Sequence, residues 1–347
     1  MSFLMKIETT QRFSLLIFLL LFFARSTIAL ADPSSELTGF SVFDKIDIAQ
    51  LAKGDVKTMH GPPMSGRFLS VQSCYVVPGS PAQQIEALRK WDPTKHRELK
   101  VFLHSDLPAS PSPADFSKLK SAPDNGSVRT LVEATKKLSS ELQISKDEAK
   151  KFSAGGESSD AMPSSVANFW SEILAARAKS FMSGGTSAEP PYDHSGETIR
   201  AGDELNSLLK QHEKIRKQFS GFLAQTGIGR GAGSLTPELY WELLDVDDRG
   251  VVTLGASYNH GGAGETYQAA DVLYYASGGY YVVLTLYQMW PVKVGGKGST
   301  LVWRGDMISS ASLASLHGVE RLGSESAMMK NISKAITLFR RDTGGGH

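Results

Sequence analysis

Chemistry at a protein site needs particular side chains at particular spacings, and in this chain of 347 residues the suggestive ones stand without their partners. Serine hydrolysis wants a nucleophile on a sharp turn with a histidine in reach. No G-x-S-x-G occurs, and the S-x-x-K patterns at Ser117–Lys120 and Ser207–Lys210 lack companion motifs. His96 and His104 have seven residues between them, but neither H-E-x-x-H nor paired cysteines accompany them as a zinc site would require. His212-Glu213 likewise lacks its second histidine. Asp245-Val246-Asp247-Asp248-Arg249-Gly250 opens like a calcium loop, yet Arg249 stands where a third oxygen ligand belongs and Ala256 where a bidentate Glu should be. It reads as a hairpin turn. The glycine-rich stretch Gly227–Gly233 follows a helical pattern and precedes Pro237 and a strand, the reverse of a phosphate loop, so it reads as a linker. Asn259-His260-Gly261-Gly262 is a glycine-rich turn with one titratable side chain. No catalytic residue, metal or cofactor is assigned on these grounds.

Polar residues inside strands are more informative, because a strand alternates its faces. Thr300, Val302, Arg304, Asp306 and Ile308 share one side of the last strand, and Leu301, Trp303 and Met307 share the other. Glu242 shares its side with Tyr240 and Leu244. Under a covering helix, an arginine beside a carboxylate would hold a ligand's acid group or serve as an acid–base pair. Hydrophobicity favours the plainer arrangement, with Arg304 and Asp306 toward water and Trp303 and Met307 toward the core.

The elements that must position these residues fall into zones. Residues 32–66 are mixed, with a short helix predicted within Asp44–Lys53. Residues 67–105 read as strand, helix, strand: Arg67–Val77 is rich in β-branched and aromatic residues, Ser80 caps a helix with Pro81 at its first position, and Leu99–Leu103 is a second short strand. Residues 106–235 are helical with flexible connections. Apolar stripes run through Val128–Phe152, through Ser164–Met182, and through Leu205, Leu208, Leu209, Ile215, Phe219 and Phe222. Residues 236–347 change character. Eight of ten tyrosines lie between Tyr240 and Tyr287, and strands are predicted at Leu239–Val246, Val251–Tyr258, Thr266–Ala276, Tyr280–Trp290 and Ser299–Ser309. Short turns between them predict an antiparallel meander, and Val319–Arg341 predicts a long closing helix.

The opening SVQSCYVVPGSPAQQIEAL and the ending GVERLGSESAMMKNISKAITLF, with the meander between, resemble the START-like superfamily (the helix-grip proteins of polyketide-cyclase and lipid-transfer type). The resemblance is one of topology and covers two pieces, 67–105 and 236–341. It departs from the family in leaving only Pro93–His96 for the second short helix, and in placing a helical segment of some 130 residues between the second and third strands. It implies an α+β fold in which the long helix grips a curved meander sheet and leaves an elongated cavity. Adjacent Met328 and Met329 would suit an adaptable apolar wall, and tyrosines would give it hydroxyl tips. A solid core filled by the same rings is the alternative.

Composition bounds the setting. Residues 1–31 have the three parts of a secretory signal: Lys6 and Arg12, the 12-residue apolar run Phe13–Ala24, and Ala29-Leu30-Ala31 before a cut. Without Lys6, Arg12, Arg25 and Glu8 the chain keeps 34 basic and 35 acidic residues, a balance that argues against coating nucleic acid or an anionic membrane. Cys74 is the only cysteine, so no internal disulfide forms, and its apolar surroundings read it as a buried hydrophobe. The expectation is an exported protein, periplasmic or secreted, that binds an apolar or amphipathic small molecule without turning it over. The candidate contacts are Tyr274, Tyr287, Trp303, Arg304, Met328 and Phe339. A protein-interaction module docking through the helical middle is the second reading. A cyclase- or hydratase-like enzyme using Glu242, Asp306 or His260 is the third.

Overall fold

In the computed structural model, residues 32–64, 66–153, 160–229, 231 and 233–344 are described. The signal-like segment 1–31 lies outside them, as do most of the glycine-serine stretch after Phe152 and two positions of the Gly227–Gly233 run. In chain order the elements are α1 (Pro33–Phe40), α2 (Ile48–Ala52), β1 (Lys57–His60), β2 (Phe68–Pro78), α3 (Pro81–Lys90) and β3 (Val101–Leu107). The middle supplies α4 (Gly126–Lys136), α5 (Lys146–Ala149), α6 (Ser164–Gly184), α7 (Ala201–Gln211), α8 (Glu213–Gln218) and α9 (Ser220–Thr226). Then come β4 (Glu238–Val246), β5 (Arg249–Gly261), β6 (Tyr267–Ala276), β7 (Val282–Val294), β8 (Lys297–Ser309), α10 (Ala311–Ala314) and α11 (Gly318–Asp342).

The meander forms for the reasons its turns announce. Asp247 and Asp248 take left-handed φ of 52° and 61°, which closes β4 onto β5 with a two-residue loop, and Gly295-Gly296 does the same between β7 and β8. Ser80 accepts from Gln83 N and Gln83 reaches back to Ser80 N, so α3 starts at Pro81 as its capping box dictates. The eight strands pair antiparallel throughout in the order β1-β2-β8-β7-β6-β5-β4-β3. Strands β2 and β3 therefore flank the meander on opposite sides, and the chain between them crosses one face of the sheet. α3 makes that crossing against β6, β7 and β8, while α11 lies on β1 and β2.

The middle helices cover the other face. α4 packs on β5, and α7 on β6, β7 and β8. Phe169, Trp170, Ile173, Leu174, Phe181, Leu205, Leu208 and Phe219 are all buried in one core with Trp241, Leu254, Tyr274 and Trp303. Both faces of the sheet are thus covered, an α+β architecture of helices, sheet and helices. Cys74 sits in that same core, where burial pushes its thiol up to about 12.

Two helical stripes are broken where the sequence predicts continuity. The Val128–Phe152 pattern ends at α4, because Leu138 turns left-handed at φ 45° and lets Leu142 and Ile144 leave the helix and bury; Ser145 then caps α5 afresh. The stripe from Leu205 to Leu223 divides at His212 and Phe219 into α7, α8 and α9, which lets it follow the curved sheet. α1 and β1 are further elements of the mixed segment 32–66, beyond the one short helix its sequence predicts. No helix among the described residues is long and apolar enough to cross a membrane.

Candidate functional site

Register brings one set of polar residues onto the α3–α11 face. Arg304 on β8 stands between Ser73 of β2 and Tyr287 of β7; Asp306 stands opposite Thr285; Thr285 in turn faces Asp271 of β6, and Asp271 faces Ser257 of β5. Farther along, Glu242 of β4 pairs with His104 of β3. Because the strand period is two, these residues form one polar floor across β2 to β8 and β3. Above it α3, the chain after it and the last turns of α11 leave an open cavity of about 810 Å³. Ile85, Leu88, Trp91, Leu99, Val101 and Leu239 give the walls an apolar lining.

Each floor residue is held by a specific partner. Arg304 grips Asp306 through Nε at 3.0 and 2.8 Å and through Nη2 at 2.7 Å, and Thr285 donates to the same carboxylate at 2.9 Å. The guanidinium lies 5.5 Å from the Tyr287 ring centroid, and its Nη1 has no hydrogen-bond partner among the described residues. Burial works against the guanidinium's charge, but Asp306 outweighs burial and keeps it firmly protonated. Tyr240 reaches across β5 and donates to Asp271 at 2.7 Å, and Ser257 donates to the other oxygen at 2.5 Å. That reach depends on Gly255, where an added Cβ would stand 2.1 Å from the Tyr240 ring. Burial pushes the Asp271 carboxyl up, against the pull of the two hydroxyls. Beside Tyr240, His104 donates through Nδ1 to Glu242 at 3.0 Å. Burial draws the imidazole down, yet Glu242, Asp106 and Asp92 together hold it above its ordinary value.

The predicted contacts divide between the two faces. Tyr287 and Arg304 line the cavity. Tyr274 and Trp303 point the opposite way: Tyr274 stacks on Phe181 at 3.8 Å, and Trp303 packs edge-on against Phe40 at 4.9 Å. Met328 packs half-buried against the cluster of Leu69, Val71 and Val302, outside the cavity lining. Phe339 stands behind the wall, with its ring 5.7 Å from Trp91 and perpendicular to it. The arrangement that hydrophobicity favours for β8 is corrected. Trp303 and Met307 do face a core, but Arg304 lines the cavity and Asp306 is buried in its ion pair with Arg304, neither facing open water, because helices cover both sides.

Asp271 and Ser257 do not emerge from the sequence as site residues, and Glu242 and His104 do so only singly, Glu242 in the enzyme reading and His104 as half of a zinc pattern, never as a pair. A signal for Asp271 exists all the same: it is the single charge in Tyr267–Ala276, a strand otherwise apolar or amide. His96, a weak metal candidate together with His104 by sequence, lies apart from it and receives Asp342 at 2.6 Å beside Trp91. Among the described residues no group of three or more His, Cys, Asp or Glu is arranged to hold a metal ion. No protein-family model, no curated protein and no solved structure matches this chain. The cavity itself is therefore the guide to function.

Proposed function

We propose that the protein binds a small amphipathic molecule in the cavity between the sheet and the α3–α11 layer, and that binding, not turnover, is its role. The carrying observation is the covered space of about 810 Å³ whose floor is polar and whose walls are apolar. That volume lies in the range of small-molecule sites, and the division of its lining matches a ligand with one apolar and one hydrogen-bonding edge. Strand order supports a divergent START-like relationship, since β2 and β3 flank the meander, while α11 lies on β1 and β2. The signal-like start supports action outside the cytoplasm, in a periplasm or secreted. A role centred on the helical middle has less support, because the apolar stripes of α6, α7 and α9 are buried against the sheet and one another.

Native mass spectrometry of the chain, purified from an exporting host without detergent, tests the reading. The expected result is an adduct of a few hundred daltons that survives gentle ionisation and leaves on denaturation. A clean mass that stays clean after incubation with amphiphiles overturns it.

A further inference from the structure

Charges on the cavity floor do not balance, and the imbalance is local. Arg304 is taken up by Asp306 through three hydrogen bonds of 3.0 Å or less, so its charge is already matched. Glu242 has His104 at 3.0 Å. Asp271 has only two hydroxyls, Tyr240 and Ser257, and no lysine, arginine or histidine forms an ion pair with it among the described residues. Hydroxyl donors can satisfy the lone pairs of a carboxylate, but they bring no positive charge to offset it. Of the five carboxylates that line the cavity, Glu86 and Glu238 pair with Arg89 or Lys90 and Glu242 and Asp106 with His104, which leaves Asp271 as the one without an ion pair among the described residues.

We infer that the ligand carries a positive charge, a protonated amine on an apolar body, and that this amine sits against Asp271 as the counter-charge the protein does not supply. The inference rests on the reading of the cavity as a ligand site and adds to it the class of ligand. An ammonium placed there gives Asp271 a charge-assisted partner without displacing the Tyr240 and Ser257 hydrogen bonds, since each carboxylate oxygen has a second lone pair. The rest of the molecule would lie along Leu88, Trp91, Val101 and Leu239. The acidic lining also favours entry of a cation over an anion. Burial of Asp271 points in the same direction, because it raises the carboxyl above its ordinary value and a cation against it would oppose that rise.

Three probes with one apolar tail and different heads separate the outcomes: decylamine, decanol and decanoate, titrated calorimetrically into the chain at neutral pH and low salt. The amine is expected to bind about tenfold or more tighter than the alcohol, with decanoate weakest. That order follows if the ammonium forms a charge-assisted hydrogen bond with Asp271 while the decanoate head meets a like charge there. Asp271→Asn keeps the size and the hydrogen-bonding capacity of the side chain. It is expected to cut decylamine affinity about tenfold and to leave decanol unchanged. An alcohol equal to the amine, a carboxylate that binds best, or an Asn variant with full amine affinity overturns the charge inference while the cavity reading stands. If none of the three binds and the native mass is clean, both fall. Should the Asn variant not fold, the ranking on the unaltered chain decides alone.

Discussion

Trp303 and Arg304 are neighbours in β8, yet they lie on opposite sides of the sheet in opposite surroundings. On the α6–α7 side the space is filled: Trp303 is wedged among Phe40, Phe219 and Gly305, and its indole donates to Gln72 at 3.0 Å. On the α3–α11 side the space is left open and the polar groups are aimed into it. Each side has its own buried arginine, and the two differ in the same sense. Arg177 of α6 is fully buried, bridging Glu148 at 2.6 Å and Glu189 at 3.3 Å, donating to Pro190 O, and held between Tyr275 and Tyr192 at 4.3 and 5.3 Å. Arg304 makes one ion pair and keeps one terminal nitrogen unused beside the cavity. A charge sealed on all sides fixes a core, whereas one matched by a single carboxylate beside open space fixes the floor of a cavity. The difference teaches that a polar residue in a strand has to be read together with what covers it.

Stability measurements can break this contrast. Trp303→Ala removes one of the four indoles buried on the filled side and should cost about 4 kcal/mol, read from urea denaturation. A loss near ~1 kcal/mol would mean that side is not the solid core described. Arg177→Leu leaves Glu148 and Glu189 facing each other without a cation, and about 3 kcal/mol should be lost. Arg304→Met leaves the buried Asp306 with Thr285 as its remaining donor and should cost about 2 kcal/mol, less than Arg177→Leu because one carboxylate and not two loses its cation. Equal losses for the two arginine variants would erase the distinction between the faces.

Acid and base sharpen the contrast further. Glu189 is surrounded by Glu148, Arg177, Tyr192 and Tyr274, and burial pushes its carboxyl up to about 8. With the folded value above the unfolded one, the unfolded chain releases this proton first as pH rises. Glu189's contribution to stability should therefore be full below the ordinary glutamate range, fall as pH rises toward about 8, and level off above it. Denaturation midpoints for the unaltered chain and for Glu189→Gln, compared across that window, should diverge with the Gln variant declining less. Parallel curves would show that Glu189 keeps no proton in the fold. The smallest effect belongs to the rim, where Arg89 bridges Glu238 at 2.7 Å with both side chains nearly half exposed. Arg89→Ala should leave the melting temperature unchanged within error, since exposed pairs contribute little.

Much of the fold is legible in the sequence because its determinants are local. The five meander strands, the Asp247-Asp248 turn, the Ser80-Pro81 helix start and the long last helix each depend on a few adjacent residues. The site is legible only in part. Alternation in β8 correctly separates Arg304 from Trp303, but alternation says which residues share a side and never what lies over that side. The α3–α11 layer turns an expected water-facing side into a cavity, and the middle helices, far away in sequence from the strands they cover, fill the other side. Tyr274 is a plausible contact by residue type, and its ring is instead committed to Phe181. Asp271 acquires its meaning from Tyr240, which reaches it by lying over Gly255, a contact between strands that no sequence window contains.

The pairing of β2 with β8, which sets Cys74 opposite Trp303, also has a kinetic consequence. The cavity floor is incomplete until a strand near the start of the described chain meets one near its end, with the whole helical middle already emitted between them. A chain still being synthesised can form the middle helices and the first hairpins of the meander, but it cannot close the sheet. Folding should therefore be limited by that late closure, and any ligand would be captured only by a finished molecule.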